Sequence, residues 1–414
     1  MNKLNVTKSM QMFEDAKKLC PGGVMGIRRP YNFVEGEYPI FISHGKGGHI
    51  FDVDGNEYID MLCSFGPIIL GHVEPEVDRA VIEQMQKGFC FSLVQPVQNE
   101  LEKRLTELIP CAENVILVKT GSDATTAAVR VARACTNKPE ILRCGYHGWH
   151  DWCVEVKGGV SPEVSNHTHG FHFNDIAQLE TLLKEHKGNV AAIIMTPIGH
   201  ELGEPLEEPQ PGYLKAVREL ATENGAILIF DEIRTGFRLS IGGAEKLYGV
   251  VPDLATFGKA MANGYPISAV VGKREYMSVM ESKAFLSSTF FPNSLEIIAA
   301  LKTVQILQRE KVLDKLRERG EPFLKRLSQI VEDSGVPCRA SGLPTMQFIT
   351  FTKDEKLIYK ERRKQFFIET IRRGLFLHPY HHWYTCYRHT EQDLENALSV
   401  IQKALFEVRG RFPN

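Results

Sequence analysis

Short, continuously apolar runs alternate with helical stretches through the middle third of this chain, and that alternation restricts its fold more than any other feature. The runs lie at residues 115–118, 191–195, 226–230, 254–257 and 269–271. They are too short and too uniformly apolar for strands with one wet face, so they read as strands buried on both faces. Between them, 123–135 carries Ala and Val at helical spacing, and 213–223 is a second helical stretch. The pattern predicts an α/β fold with a mostly parallel sheet covered by helices.

The ends read differently. Residues 39–62 form an expected hairpin with Asp54-Gly55 at its turn. A long helix is expected near 294–310, then a strand near 346–351. In 391–408, Leu394, Leu398, Ile401 and Leu405 recur on one helical face. At 414 residues the chain exceeds one hydrophobic core. The expected division is a large domain at 70–311 and a smaller α+β domain at 312–414, with 1–69 packing with the smaller one.

Charge excludes several functions. With 49 Lys+Arg against 51 Asp+Glu the formal net charge is −2, and no basic run supplies a nucleic-acid-binding face. No apolar stretch reaches the roughly 18 residues of a membrane helix, and the first residues carry no signal-peptide core. Nine scattered cysteines show no ligand spacing, so neither a disulfide framework nor a metal site is expected. A cytoplasmic protein is the expectation.

Four strand ends carry the chemistry. Strand 115–118 runs into Lys119-Thr120-Gly121-Ser122 and a helix. Free N–H groups and a hydroxyl there could cradle a phosphate, or Ser122 could be a plain N-cap. Strand 226–230 ends in Asp231-Glu232, at the carboxyl edge where open α/β sheets place ligands. Asp231 could hold a proton on a heterocyclic nitrogen, bind a metal, or cap a loop. Strand 254–257 ends in Gly258-Lys259, hemmed by small residues. Desolvation would make that amine a nucleophile toward an aldehyde; in bulk water it would be an ordinary lysine. The loop Tyr146-His147-Gly148-Trp149-His150-Asp151-Trp152 offers either a platform for a flat ligand or a structural aromatic cluster. Together the four suit a phosphorylated aromatic aldehyde, and pyridoxal 5′-phosphate (PLP) is such a molecule.

At these residues the sequence resembles the class III (subgroup II) PLP-dependent aminotransferases of fold type I, on the branch that includes glutamate-1-semialdehyde aminomutase. The resemblance runs along nearly the whole chain: PGGV at 21–24, DVDGNEYID at 52–60, TGSDATTAAVRVARA at 120–134, YHGWHD at 146–151, DEIRTGFR at 231–238, FGKAMANGYPISAVVG at 257–272, STFFPN at 288–293 and HTEQDL at 389–394. It implies a homodimer with shared active sites, and no nucleic-acid or membrane partner. Lys259 would form the internal aldimine and Asp231 would pair with the pyridine nitrogen. Ile233 would pack beneath the ring, Tyr146 would stack above it, and Gly121 and Ser122 would hold the phosphate. Thr289 would reach that phosphate from the neighbouring subunit. Arg29 occupies the place of an arginine that binds the substrate carboxylate. Arg28 could replace or assist it, Arg388 is either a further carboxylate contact or, more in keeping with its setting, a surface residue, and Trp149 is a candidate pocket liner.

The chain departs from the family pattern at Thr196-Pro197, where Glu-Pro is usual, and at Ala262-Asn263-Gly264-Tyr265-Pro266, where the aminomutase branch has a glycine run. These departures point to a two-substrate aminotransferase. It would move an amino group from a donor such as glutamate to a small carbonyl acceptor, with a sugar-derived one among the options. The alternatives are an aminomutase, a racemase or epimerase on the same cofactor, or a catalytically silent scaffold. Retention of Lys259 and Asp231 speaks against the last.

Overall fold

The computed structural model describes residues 2–291 and 293–413. The chain divides into two compact units: Met1–Glu74, Leu202–Leu206 and Asp314–Asn414 form one, and Pro75–Glu201 with Glu207–Leu313 form the other.

The second unit is built on a seven-stranded sheet. In spatial order its strands are Asn114–Val118, Ser268–Gly272, Leu254–Phe257, Ile227–Asp231, Val190–Met195, Glu140–Cys144 and Thr168–Gly170. Each residue of the four strands Ser268–Gly272, Leu254–Phe257, Ile227–Asp231 and Val190–Met195 is buried, as their unbroken apolar runs require. Four consecutive pairings are parallel, from Leu254–Phe257 across to Thr168–Gly170. Ser268–Gly272 runs antiparallel to both its neighbours. Two reversals restore direction, so Asn114–Val118 points the same way as the parallel set. The carboxyl ends of Asn114–Val118, Glu140–Cys144, Ile227–Asp231 and Leu254–Phe257 therefore all meet one edge. The helix Gly121–Thr136 packs against this sheet with Ala124, Ala127, Ala128, Val131 and Ala132. Its small residues allow a close approach.

The sequence pattern did not show Thr168–Gly170. Its residues Thr-His-Gly are half-buried or exposed, and it forms the sheet edge, where little apolar area is covered.

The first unit holds two small sheets. Ile42–Lys46, His49–Asp52 and Glu57–Asp60 form an antiparallel meander, and Leu375–Phe376 joins it in parallel. The expected turn is present, with Gly55 at φ 90°. Cys338–Leu343, Met346–Phe351 and Trp383–Tyr384 form the other sheet. Helices Ile358–Arg372 and Glu391–Arg411 cover a core that includes Tyr58, Phe348, Phe366, Phe367, Trp383 and Leu398. The excursion Leu202–Leu206 belongs here because Gly203 N–H donates to Tyr380 O at 2.7 Å and Leu206 N–H to Ser341 Oγ at 3.2 Å.

Candidate active site

Asp231 is the last residue of its strand, and only 4% of it is exposed. One carboxylate oxygen, Oδ1, accepts from Ile233 N–H at 3.1 Å and from Thr256 Oγ1 at 3.2 Å. The first of these caps the turn that follows the strand. The other oxygen, Oδ2, lies 2.8 Å from His147 Nδ1. His147 is itself buried, its ring parallel to that of Trp152 at 6.4 Å, and its Nε2 has no partner among the described residues. The carboxylate is thus fixed from three sides within the sheet edge. Its neighbour Glu232 turns into the core instead, accepting from Ala244 N–H at 2.6 Å and from the Thr235 hydroxyl. Burial pushes Glu232 up to about 7. Adjacent carboxylates thus differ by environment.

Lys259 opens a 3₁₀ turn, Lys259–Ala262, directly after strand Leu254–Phe257 and Gly258. Its φ of 42° lies in the left-handed region, which a lysine occupies at a cost of about 1–3 kcal/mol when the surroundings hold it there. Part of the side chain meets solvent. Even so, burial of the amine lowers it to about 7; the Arg234 and Arg238 cations add to that effect and Asp231 opposes it. Near neutrality about half of such amines are free to act as nucleophile or base.

Ile233 lies close to two glycines. A Cβ on Gly121 would stand 3.1 Å from Ile233 Cγ2, and one on Gly258 would stand 3.2 Å from Ile233 Cδ1 and 2.6 Å from Ser268 Oγ. This approach brings the helix start, the Asp231 turn and the Lys259 turn together.

The N-cap of helix Gly121–Thr136 is Thr120, not Ser122. Thr120 Oγ1 accepts from Asp123 N–H at 3.2 Å, and Asp123 Oδ2 accepts from Thr120 N–H at 2.8 Å. That reciprocal pair satisfies two of the donors at the helix start and leaves the N–H groups of Gly121 and Ser122 for a ligand at the positive end of the dipole. Ser122 Oγ accepts from Trp149 N–H at 3.3 Å. Gly148, at φ 118°, allows this approach: a Cβ there would lie 2.4 Å from Ser122 Oγ.

The aromatic loop divides. Trp152 is core, donating to Thr126 Oγ1 at 2.8 Å, and His150 bonds to the same hydroxyl at 2.7 Å. Tyr146 and Trp149 are exposed, at 48% and 67%. Partial burial still raises the Tyr146 phenol. Sequence reasoning missed His147 as a partner of Asp231; its place between two recognised aromatics was the available signal. Thr256, one residue from the strand end, gave none.

The other expected residues take no part in the contacts just described. Thr289 is exposed on the loop before helix Ser294–Arg309, and Pro292 of the same motif lies outside the described residues. Arg28 and Arg29 belong to the other unit: Arg28 ends a short 3₁₀ turn, and Arg29 links it to the next in extended conformation. Arg28 is exposed and lines a largely apolar cavity of about 250 Å³, together with Phe33, Ile50, Leu62, Phe65 and Phe376. Arg29 Nε contacts Val24 O at 3.4 Å. Arg388 is committed elsewhere: its Nε and Nη2 donate to the two carboxylate oxygens of buried Glu74, each at 2.9 Å. That ion pair supports the surface reading of Arg388 over a substrate contact.

A desolvated amine, an oriented carboxylate and a free helix N-terminus are drawn together at one sheet edge, an arrangement suited to a phosphorylated aldehyde. Comparison with known proteins makes the class specific. The aminotransferase class-III family model matches residues 31–405. The chain is 58% identical over 408 residues to the 3-aminobutyryl-CoA aminotransferase of Cloacimonas acidaminovorans, covering 98% of this chain and 99% of the relative. It is 33% identical to the glutamate-1-semialdehyde 2,1-aminomutase of Methanosphaera stadtmanae, covering 97% and 99%. Among solved structures, the PLP form of the FumI protein of Sphingopyxis sp. MTA144 superposes with a TM-score of 0.92 at 28% identity, covering 98% and 97%. An omega-transaminase of Sphaerobacter thermophilus gives 0.89 at 26%, covering 98% and 100%. The chain belongs to the class III aminotransferase family. It is a PLP-dependent enzyme.

Proposed function

We propose that this enzyme transfers the amino group of a 3-aminoacyl thioester of coenzyme A to a 2-oxo acid such as 2-oxoglutarate, giving the 3-oxoacyl thioester and glutamate. The observation that carries the reading is the 58% identity, over nearly the full length of both chains, to a 3-aminobutyryl-CoA aminotransferase. No observation here favours a sugar-derived acceptor.

The residues at the sheet edge fit PLP. The Gly121 and Ser122 N–H groups would take its phosphate, Asp231 its ring nitrogen and Lys259 its aldehyde carbon. Ile233 and Tyr146 would cover the two ring faces. Bound there, the cofactor supplies an electron sink for the carbon that loses a proton. Displaced from the aldehyde carbon by the substrate amine, Lys259 would take the proton from the amine-bearing carbon, C3 of the thioester, as base and later give a proton back as acid. Its lowered basicity suits both steps. Asp231 holds its orientation through Ile233, Thr256 and His147, so it opposes a positive ring nitrogen without rearranging. Arg28 and Arg29 serve the carboxylates of the 2-oxo acid, and Trp149 lines the pocket.

Thr289 acts from the partner subunit of a homodimer. Two exposed apolar loops support that assembly: Phe91, Leu93 and Val94 on one, and Phe285 and Phe290 on the other. They are drawn together by Ser294 N–H donating to Phe89 O at 3.1 Å. Exposed apolar side chains clustered on neighbouring loops are a feature of association faces. All nine cysteines are free, which fits a reducing, cytoplasmic location, and no helix among the described residues is long and apolar enough to cross a membrane.

The test is incubation of the purified holoenzyme with 3-aminobutyryl-CoA, with and without 2-oxoglutarate, followed by mass analysis of both products. Acetoacetyl-CoA and glutamate in equal amounts, formed only when the oxo acid is present, are expected. An isomerised amine formed without oxo acid would move the assignment to an aminomutase, and absence of turnover with either arrangement would refute the thioester reading.

A further inference from the structure

A second cluster of donor atoms lies at the far edge of the large sheet. Strand Thr168–Gly170 pairs in parallel with Glu140–Cys144, setting His169 opposite Leu142. Glu140 and Leu142 share a strand face, so His169 projects on the same side as Glu140. His169 Nε2 lies 2.7 Å from Glu140 Oε2, and His167 Nδ1 lies 2.8 Å from Glu140 Oε1. A third imidazole, His186, caps the end of helix Ile176–Glu185. Its ring stacks on that of His169, with centroids 3.9 Å apart and planes 26° apart. The donor atoms of Glu140, His169 and His186 all lie within 4.8 Å of one another.

The geometry points to a binding site for a divalent transition-metal ion of borderline softness, Zn²⁺ above all, held by Glu140, His169 and His186 with His167 beside them. Imidazole nitrogens and one carboxylate are the ligand set such ions prefer, and a tetrahedral site with bonds of about 2.0–2.2 Å needs donors roughly 3.3–3.6 Å apart. Side-chain rotations would open the 2.7 Å contact between Glu140 and His169 and bring donors that now lie within 4.8 Å of one another to that value. The backbone beneath is already fixed: Asn189 N–H donates to His186 O at 2.9 Å and Glu140 N–H to Asn189 O at 3.1 Å. The side chains of Glu140 and His169 are 13% and 25% exposed, so an ion can enter from solvent while most of its shell is protein. Bound there, it would cross-link the end of a helix to an otherwise short edge strand, stabilising the folded chain in proportion to its occupancy.

The other cluster with metal-like composition, Cys63, Cys386 and His389, differs in the decisive respect. His389 Nδ1 accepts from Cys386 N–H at 3.0 Å and its Nε2 lies 3.2 Å from Gly48 O, so both ring nitrogens are engaged with backbone. Among the described residues, His186 has no such commitment.

The experiment uses untagged holoenzyme, stripped with a chelator and dialysed against Zn²⁺ or Co²⁺, with bound metal counted by elemental analysis. One ion per chain is expected. The Co²⁺ form should show ligand-field absorption in the visible, separate from the cofactor band. His169→Ala and His186→Ala should each weaken binding by about tenfold or more, the range in which metal sites respond to lost supporting groups. His172→Ala, a neighbouring exposed histidine, should leave binding unchanged. The cofactor spectrum of each variant reports that it has folded. Failure of the parent protein to retain metal, or retention by His169→Ala and His186→Ala equal to the parent's, would overturn the site.

Discussion

Replacing His147 by Phe isolates the contribution of the group that fixes Asp231. Both side chains are nearly inaccessible, 2% and 4% exposed, so water cannot take over the lost bond. The change removes the 2.8 Å contact at Oδ2 and leaves the carboxylate with two donors, both at Oδ1. Depriving a buried charged group of one partner costs about 2–3 kcal/mol. If that cost falls on cofactor binding, where Asp231 must face the ring nitrogen without help, it corresponds to an affinity loss of about 30- to 140-fold at about 1.4 kcal/mol per decade. The assay is titration of apoenzyme with PLP, alongside the rate at which glutamate converts the bound cofactor to its amine form. His147→Asn, which keeps a donor near the Nδ1 position, should recover most of the loss, an outcome that a general packing defect would not give. A Phe variant whose PLP affinity and donor half-reaction both stay within about twofold of the parent would refute the reasoning.

Three further outcomes follow from the same geometry. The rate of apoenzyme reconstitution with PLP should rise with pH through about 7 and then level off, because only the neutral Lys259 amine attacks; a rise continuing toward pH 10 would mean that the amine keeps its ordinary basicity. Gly258→Ala places a methyl 2.6 Å from Ser268 Oγ at a φ of −178° that any residue adopts, so the defect is steric. The double variant with Ser268→Ala should therefore recover part of the lost cofactor occupancy, and equal loss in the single and double variants would count against this reading. Arg388→Ala strands buried Glu74 and should lower stability by about 1–3 kcal/mol, moderated because the Arg388 side chain is 48% exposed; the denaturation midpoint checks this, and an unchanged midpoint would show that the pair contributes nothing.

The apolar runs determined the strands almost to the residue, because burial on both faces leaves a continuous signal that needs no knowledge of neighbours. Asp231 and Lys259 were legible for the same reason: a polar residue just past such a run must stand at the carboxyl edge of the sheet. Local turn chemistry placed a helix start close to residues 121–123 but left the role of Ser122 open, since Thr120 and Ser122 are both competent caps and only the reciprocal bond between Thr120 and Asp123 decides between them. Pairings across the chain were beyond the sequence alone. His147 meets Asp231 across 84 positions because the strands preceding them point their carboxyl ends to one edge. Glu74 claims Arg388 across 314. Glu140 gathers histidines from an edge strand too polar to announce itself. Periodicity and capping are properties of contiguous residues, whereas the partner of a charged side chain is set by the order in which strands assemble, and only the tertiary structure fixes that order.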